Sequence, residues 1–241
     1  MSSEPRMVQV RRNVLKANDV VARRLRQSFR ESGVFAVSLV SSPGAGKTAF
    51  LEKILTVMRS QYRVAALVGD LATDNDAARL ARSGAPVKQI TTGTLCHLEA
   101  AMVEQALNGW DGASDLGSLD YLFVENVGNL VCPSSYDLGE GLRVVLMCVT
   151  EGEDKPLKYP TIFNSADVAV ITKMDMAAAA EFDSDAAERN ILAVRPGMRI
   201  FSLSAKTGAG IEEFLAFLRS QREQARVADG AAQPGALLPS T

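Results

Sequence analysis

The chain has 241 residues, which is enough for one large domain or for one domain with appendages. Hydrophobic residues make up 47% of it and its net charge is −2, a composition that is typical of a soluble globular protein and does not suggest nucleic acid as a partner. No apolar run approaches the roughly 20 residues that a membrane-spanning helix needs, so we expect no contact with a membrane. The N-terminus is polar and lacks a signal-peptide core, and we therefore expect a cytoplasmic protein.

The two ends of the chain differ in composition from its middle. Within residues 1–33, the basic stretch from Arg11 to Arg30 carries apolar side chains near helical spacing, which predicts an N-terminal helix packed on the core. Residues 34–224 are predicted to form the main domain. Residues 225–241 are rich in Ala, Gly and Pro, which predicts a disordered tail.

Strand-like and helix-like segments alternate along the main domain. The predicted strands cover residues 34–40, 64–68, 121–125, 144–149, 168–171 and 200–203. The predicted helices cover residues 49–58, 76–82, 98–107, 185–193 and 211–222. This alternation predicts a three-layer α/β fold, in which a mostly parallel sheet is covered by helices on both faces. Ligands of such sheets bind at the carboxyl ends of the strands, and the candidate motifs fall at those ends.

The most informative segment is the run from Ser41 to Thr48, which reads Ser-Ser-Pro-Gly-Ala-Gly-Lys-Thr between a predicted strand and a predicted helix. This order is typical of a loop that cradles the phosphates of a nucleoside triphosphate. We expect Gly44 and Gly46 to let the backbone approach, Lys47 to neutralise the outer phosphates and Thr48 to hold Mg²⁺. Ser41 stands where the usual pattern has its first glycine. The predicted phosphate-binding residues are Ser42, Pro43, Gly44, Ala45, Gly46, Lys47, Thr48 and Ala49.

Two predicted strands are followed by carboxylates suited to magnesium or to the activation of water. Asp70 follows one of them, with Asp74 and Asp76 close behind, although Asp74 could equally cap the next helix. Glu125 ends the other, and together with Gly128 it forms a carboxylate-x-x-glycine pattern that is typical of a γ-phosphate sensor. The predicted magnesium-binding residues are Thr48, Asp70, Asp76 and Glu125, and the predicted catalytic residues are Lys47, Asp70 and Glu125.

The run Thr172-Lys-Met-Asp175 resembles the Asn-Lys-x-Asp motif with which GTPases read guanine. Asp175 would accept the N1–H and N2–H₂ donors of the base, and the stem of Lys173 would cover the ring. Three residues after the last predicted strand resemble the second base-contacting loop, namely Ser204, Ala205 and Lys206. Thr172 replaces the usual Asn, and a hydroxyl does not reproduce both amide hydrogen bonds, so we expect a weaker hold on the base. The alternative for Lys173 and Asp175 is a surface salt bridge within a loop.

Cys96 and His97 are adjacent at the predicted start of a helix, whose N-terminus would favour a thiolate. Cys132 comes four residues after Gly128, in a segment that would move with the γ-phosphate. These three side chains could hold a soft or borderline metal ion, and the alternative is that each is an ordinary buried or hydrogen-bonded side chain. Cys148 lies within a predicted strand and is predicted to be a core residue. In a reducing compartment we expect no disulfide framework.

The chain resembles the HypB-type GTPases that incorporate nickel into hydrogenases, from about residue 20 to about residue 222. Besides the phosphate loop, the matching runs are Thr-Gly-Thr-Leu-Cys-His-Leu-Glu at 92–99, Glu-Asn-Val-Gly-Asn-Leu-Val-Cys-Pro at 125–133, Asp-Leu-Gly-Glu at 137–140 and Thr-Glu-Gly-Glu-Asp-Lys-Pro-Leu-Lys-Tyr-Pro at 150–160. The resemblance implies a P-loop GTPase of the SIMIBI class over residues 34–224. It also implies a homodimer that forms with nucleotide and binds Ni²⁺ or Zn²⁺ at the subunit interface through Cys96, His97 and Cys132.

The resemblance further implies that nickel is delivered to a hydrogenase large-subunit precursor, with a small accessory partner that binds zinc and nickel. Many family members carry a histidine-rich or cysteine-motif extension, whereas residues 1–33 of this chain contain neither Cys nor His, so we expect no N-terminal nickel storage. The alternatives are a GTPase that serves urease or a cobalamin enzyme, a small-molecule phosphotransferase, and a zinc-held dimerisation module without turnover.

Overall fold

The computed structural model describes residues 6–71, 75–111 and 116–231. Across these ranges the chain forms one all-parallel sheet of seven strands and eight α-helices. The strands are β1 (Phe35–Ser41), β2 (Val64–Asp70), β3 (Val87–Thr91), β4 (Tyr121–Glu125), β5 (Leu142–Cys148), β6 (Val168–Thr172) and β7 (Arg199–Ser202). The helices are α1 (Arg6–Glu31), α2 (Lys47–Met58), α3 (Asn75–Ala81), α4 (Ala100–Leu107), α5 (Lys155–Lys158), α6 (Pro160–Ser165), α7 (Ser184–Val194) and α8 (Ile211–Ala231).

The strand order is β3-β2-β4-β1-β5-β6-β7, so β1 lies at the centre of the sheet. In the register, Glu125 at the end of β4 lies beside Leu39 of β1 and beside Val68 of β2. The carboxyl ends of β1, β2 and β4 are therefore neighbours. This topology places the loop after β1, Asp70 and Glu125 at one edge of the sheet, although they are far apart in sequence.

Both faces of the sheet are covered by helices, which explains why the central strands are continuous apolar runs and do not alternate. All seven residues of β1 and of β5 are buried. One face packs against α2 and α8, where the rings of Phe50 and Phe214 meet with centroids 5.1 Å apart. The other face packs against α1 and α4 on one side and against α6 and α7 on the other. The predicted three-layer α/β fold is confirmed.

The N-terminal helix α1 packs on the sheet through its second half. Ala22, Leu25 and Phe29 are buried there, whereas Val14 in the first half is exposed, and so is Ala17. At the other end of the chain, α8 continues to Ala231, so it includes the first seven residues, 225–231, of the predicted disordered tail. Residues 232–241 of that predicted tail lie outside the described residues.

The edge strand β3 was not predicted, because Lys88 and Gln89 interrupt its apolar character and only Ile90 is buried. The short helices α5 and α6 were not predicted either. Among the described residues, no helix combines the length and the apolar character that crossing a membrane requires.

Candidate nucleotide and metal sites

The phosphate loop, residues 42–46, joins β1 to α2. Gly44 and Gly46 have φ angles of 78° and 89°, a left-handed backbone that favours glycine. Gly46 is the N-cap of α2, so the loop leads directly into the helix N-terminus. Such an N-terminus presents free backbone N–H groups and a positive dipole end, which suit the phosphates of a nucleotide.

Lys47 begins α2 and is 7% exposed. Its Nζ donates a hydrogen bond of 2.9 Å to the Oγ of Ser41, the residue that replaces the first glycine of the usual motif. Burial lowers the pKa of Lys47, and the nearby carboxylates of Glu125, Asp76 and Glu151 oppose this effect. Ser41 therefore supplies an acceptor that a glycine lacks, and the lysine is surrounded by carboxylates.

Glu125 is 2% exposed, and its Oε1 accepts a hydrogen bond of 2.7 Å from the Thr48 hydroxyl. Its other oxygen, Oε2, is buried and has no hydrogen-bond partner within the described part of the chain. Burial raises the pKa of Glu125 to about 7, against the opposing effects of Lys47 and Thr48. A buried carboxylate oxygen without a partner, next to a threonine hydroxyl, fits a hard cation such as Mg²⁺.

The two aspartates predicted for the magnesium site differ in how closely the structure links them to Glu125. Asp70 ends β2, and its backbone carbonyl accepts a hydrogen bond from the Thr92 N–H. Asp76 lies in the first turn of α3, close enough to Lys47 and Glu125 to affect the pKa of both. Asp74 lies outside the described residues.

Two of the residues predicted to contact guanine, Thr172 and Lys173, bond to the phosphate loop. Thr172 donates a hydrogen bond of 2.6 Å to the carbonyl of Ala45, and Lys173 Nζ donates one of 2.7 Å to the carbonyl of Gly44. The hydroxyl of Thr172 is thus engaged with the loop backbone. Lys173 has a φ of 59°, which turns the chain sharply after β6.

The surface salt bridge between Lys173 and Asp175 is not formed, so that alternative is wrong. Asp175 Oδ1 accepts a hydrogen bond of 2.6 Å from the Ser204 hydroxyl, which joins the two predicted base-contacting loops. Ala205 and Lys206 follow in the turn after β7, the first half-buried and the second exposed.

Gly128 approaches the phosphate loop closely. A Cβ placed on it would lie 3.0 Å from the Cα of Pro43, a contact that the backbone of Pro43 would have to move to accommodate. The segment after β4 therefore touches the loop directly, and any side chain at residue 128 would press on the backbone of Pro43.

Sequence reasoning missed Glu151, which lies after β5. Its carboxylate accepts hydrogen bonds from the Ser42 hydroxyl and from the backbone N–H of Cys148, and it pairs with Lys155 at 3.1 Å. Burial acts to raise the pKa of Glu151, but these three partners together lower it, so the group is a carboxylate beside the phosphate loop. The signal was present, because Glu151 lies within the run at 150–160 that carries the family resemblance.

Cys96, His97 and Cys132 lie together, with their potential ligand atoms within 4.8 Å of one another. The two sulfur atoms are 2.8 Å apart, and His97 Nδ1 is 3.9 Å from Cys96 Sγ. Two thiols and an imidazole at this separation could share one Ni²⁺ or Zn²⁺ ion. We call these three residues the metal cluster. Cys148 is buried in the core, as predicted.

Two side chains lie close to the ring of His97. Tyr136 packs against it with ring centroids 4.0 Å apart, and Glu99 Oε1 lies 3.6 Å from its Nε2. Burial lowers the pKa of His97 despite the opposing charge of Glu99, which favours the neutral form that ligates metals. Nδ1 therefore faces the thiols, and Glu99 lies where an orienting carboxylate would be placed.

The predicted helix start at Cys96 is wrong. α4 begins at Ala100, and the helix N-terminus does not lie at the cysteine. Leu98 is fully buried against Gly69, and its N–H donates to the side chain of Asn126 at 2.9 Å, so residues 98 and 99 stay outside the helix.

A family model described as CobW/HypB/UreG, nucleotide-binding domain, matches residues 35–202. The hydrogenase maturation factor HypB of Rhizobium leguminosarum bv. viciae is 44% identical over 216 residues, which are 90% of this chain and 71% of that protein. The chain belongs to the HypB family. The hydrogenase/urease maturation factor HypB of Helicobacter hepaticus is 40% identical over 217 residues, covering 90% of this chain and 89% of the relative.

Among solved structures, that of HypB from Helicobacter pylori in complex with nickel is 39% identical, with a TM-score of 0.81, covering 86% of this chain and 96% of the other. The predicted resemblance to HypB and the SIMIBI-class P-loop fold are confirmed. The match to a nucleotide-binding domain agrees with the phosphate-loop site, and the nickel in the structure of the Helicobacter pylori relative agrees with the metal cluster.

Proposed function

We propose that this HypB-family chain hydrolyses GTP with the help of Mg²⁺ and couples that reaction to the transfer of nickel during maturation of a nickel–iron hydrogenase in the cytoplasm. The observation that carries the proposal is the contact between Gly128 and Pro43. It connects the phosphate loop to a segment that reaches Cys132 four residues later. One short stretch of backbone thus serves both candidate sites.

In the proposed hydrolysis, Lys47 Nζ exchanges the Ser41 hydroxyl for an outer phosphate oxygen of GTP. Thr48 and Glu125 would hold Mg²⁺, which would neutralise charge on the phosphates, and Asp76 is close enough to Lys47 and Glu125 to act on the same site. Asp70 orients the attacking water and accepts its proton while the bond between the γ-phosphorus and the bridging oxygen breaks. The Gly128 N–H donates to the γ-phosphate.

Guanine selection is proposed for the loops after β6 and β7. Asp175 accepts the N1–H and N2–H₂ donors of guanine, a pair of donors that adenine lacks. Ser204 holds the carboxylate of Asp175 in place, and Ala205 and Lys206 flank the base. Thr172 stands where the motif usually has Asn, and its hydroxyl still supports the phosphate loop through the carbonyl of Ala45.

The metal cluster is proposed to be half of a site that two subunits complete. Cys96 and Cys132 are half-exposed, so a second copy of the chain could approach them. Two copies related by a twofold axis would supply up to six ligands, enough for tetrahedral Zn²⁺ or square-planar Ni²⁺. We propose a homodimer that depends on nucleotide and metal, an accessory protein that binds zinc and nickel, and the hydrogenase large-subunit precursor as the client.

Urease is a second candidate client, because the Helicobacter hepaticus relative is a hydrogenase/urease maturation factor. The residues around the nucleotide and the metal cluster are compatible with either client. The discriminating experiment is therefore maturation itself, with purified hydrogenase and urease precursors offered the same nickel-loaded protein.

The basic activity is tested with the whole chain by measuring phosphate release from GTP and from ATP without any acceptor, with Ni²⁺ and Zn²⁺ titrated in parallel. We expect turnover of GTP alone and one metal site per dimer. Phosphate release that requires an added small-molecule acceptor would indicate a phosphotransferase. Metal binding without turnover would indicate a dimerisation module, and either result would overturn the proposal.

A further inference from the structure

Asn18, on the N-terminal helix α1, connects the two segments that carry the metal cluster. Its side chain is buried, with 6% of the residue exposed. Its Oδ1 accepts a hydrogen bond of 2.8 Å from the N–H of Ala100, and its Nδ2 donates one of 2.8 Å to the carbonyl of Asp137. Ala100 follows His97 by three residues and Asp137 follows Cys132 by five. One amide group therefore bridges the two metal-bearing segments.

These segments need such a bridge because little regular structure fixes them. Cys96 and His97 lie in a non-helical stretch before α4, and Cys132 begins a single 3₁₀ turn. A metal site holds its ion well only when its ligand atoms keep their positions within roughly 0.5 Å. In loops of this kind, side-chain hydrogen bonds to the backbone supply that constraint.

Other backbone anchors act on one segment at a time, whereas the contacts between the segments themselves, Cys96 with Cys132 and His97 with Tyr136, involve the metal cluster and its immediate neighbour. Asn126 accepts from the Leu98 N–H at 2.9 Å, which fixes the Cys96–His97 side to the end of β4. Arg26 donates to both carboxylate oxygens of Asp137, at 2.6 and 2.8 Å, which fixes the Cys132 side to α1. Asn18 adds, from a separate helix, one side chain that bonds to the backbone of both sides.

We propose that Asn18 is a positioning residue for the metal cluster, and that α1 therefore forms part of the metal site although it supplies no ligand. The inference rests on the proposed metal binding by Cys96, His97 and Cys132. The inference goes beyond the proposed metal binding, because it makes the affinity and geometry of the site depend on a residue some 80 positions before the first ligand, on a separate helix.

The chemistry of the amide makes the proposal testable. Asn18→Leu has a similar volume and loses both hydrogen bonds, whereas Asn18→Asp keeps the acceptor for Ala100 and places an oxygen opposite the carbonyl of Asp137. Helix α1 stays anchored in both variants by the buried Leu25 and Phe29. Asn13→Leu is the matched control, because Asn13 is an exposed asparagine of the same helix.

The experiment titrates Ni²⁺ into the full-length chain and its variants, with a competing chelator for affinity and with the thiolate-to-nickel charge-transfer absorption for geometry. Circular dichroism establishes that each variant is folded at the assay temperature. We expect Asn18→Leu to bind Ni²⁺ about 10- to 100-fold more weakly and to show a changed charge-transfer spectrum even when saturated. Asn18→Asp should be intermediate, and Asn13→Leu should match the wild type.

A folded Asn18→Leu protein with wild-type nickel affinity and an unchanged spectrum would overturn the inference while leaving the proposed metal site intact. If Asn18→Leu does not fold, Asn18→Asp takes its place, and wild-type nickel affinity with an unchanged spectrum in that variant would overturn the inference. A wild-type chain that binds no nickel would overturn the proposed metal function itself, and the two failures are thus distinguishable.

Discussion

The nucleotide site and the metal cluster are built in opposite ways. Lys47, Thr48 and Glu125 are buried side chains at the ends of a helix and a strand, and the sheet register determines where they meet. Cys96 and Cys132 are half-exposed side chains on loops, and amide side chains from other parts of the chain hold those loops. The first site depends on topology, whereas the second depends on a few individual hydrogen bonds.

The difference indicates which site can change its geometry. A buried pair such as Thr48 and Glu125 at 2.7 Å has dense packing around it and little room to move. The metal cluster can shift when its loops shift, and the contact between Gly128 and Pro43 joins those loops to the rigid site. Nucleotide binding should therefore act on the metal cluster far more than it rearranges the residues that hold the nucleotide.

The largest effect is expected for base selection at the rigid site. Asp175→Asn should move the preference from GTP to xanthosine triphosphate, because the amide can donate to the extra carbonyl of that base. At a site built around paired hydrogen bonds the change in discrimination reaches about 10⁴-fold. The measurement is kcat/KM for both nucleotides, with Asp183→Asn as a control at an aspartate outside the base-contacting loops. An unchanged preference for GTP would show that Asp175 does not read the base.

Next in size is the loss of the phosphate-binding lysine. Lys47→Ala should reduce GTP hydrolysis by at least 10²- to 10³-fold, because it removes a positive charge aimed at the transferred phosphate. Lys53→Ala, on the same helix, should retain hydrolysis. Single-turnover rates with both variants, together with circular dichroism, provide the test, and wild-type turnover by a folded Lys47→Ala protein would contradict the assignment.

The buried carboxylate of the rigid site should also leave a signature in stability. Because the folded-state pKa of Glu125 is about 7, above its ordinary 4.5, the folded protein binds more protons than the unfolded chain between these values. The free energy of unfolding of the protein without nucleotide or magnesium should therefore fall as pH rises from 4.5 to about 7, and then level off. This shift corresponds to a loss on the order of 3 kcal/mol.

Glu125→Gln removes that titration and keeps an acceptor for Thr48. Urea unfolding should find the variant more stable than the wild type above about pH 7, with the difference vanishing towards pH 4.5. Glu213→Gln is the control at an exposed glutamate and should follow the wild-type curve. Parallel curves for Glu125→Gln and the wild type at all pH values would contradict a raised pKa.

The nucleotide site could be predicted from the sequence more completely than the metal cluster, because topology builds the first and individual hydrogen bonds build the second. The phosphate loop, Asp70 and Glu125 could be placed because strand ends in a parallel sheet meet at one edge, and each motif lies next to its own strand. Cys96, His97 and Cys132 could be grouped as candidate ligands by their chemistry, and the family resemblance then implied a shared metal site. Their actual surroundings depend on tertiary hydrogen bonds that no spacing indicates, and α4 starts late because Leu98 is held by Asn126.

Two further features involve partners that are distant in the chain. The weaker hold on guanine expected from Thr172 stays a prediction, and the structure adds that its hydroxyl reaches the carbonyl of Ala45, a partner 127 residues away in sequence. The early disorder predicted after residue 224 was wrong for the last turns of α8, where Arg30 of α1 pairs with Asp229 at 3.5 Å. In each case the residue contacts a partner distant in the chain, which composition does not reveal.

The last prediction concerns the link between the two sites. Gly128 touches Pro43 and Cys132 follows four residues later, so binding of GTP should move the Cys132 thiolate relative to Cys96 and His97. By linkage, Ni²⁺ must then change the affinity for GTP by the same factor, typically 1–3 kcal/mol or about 5- to 150-fold. The test titrates Ni²⁺ into protein that is nucleotide-free, bound to GDP or bound to a non-hydrolysable GTP analogue, while light scattering follows dimer formation.

Cys132→Ala should abolish the nucleotide dependence of nickel affinity and spare nucleotide binding. Cys148→Ala changes a core cysteine outside the cluster and should preserve both the nucleotide dependence and nucleotide binding. If nickel affinity is equal in all three nucleotide states of the wild type, the loop contact does not couple the sites and the two would function independently.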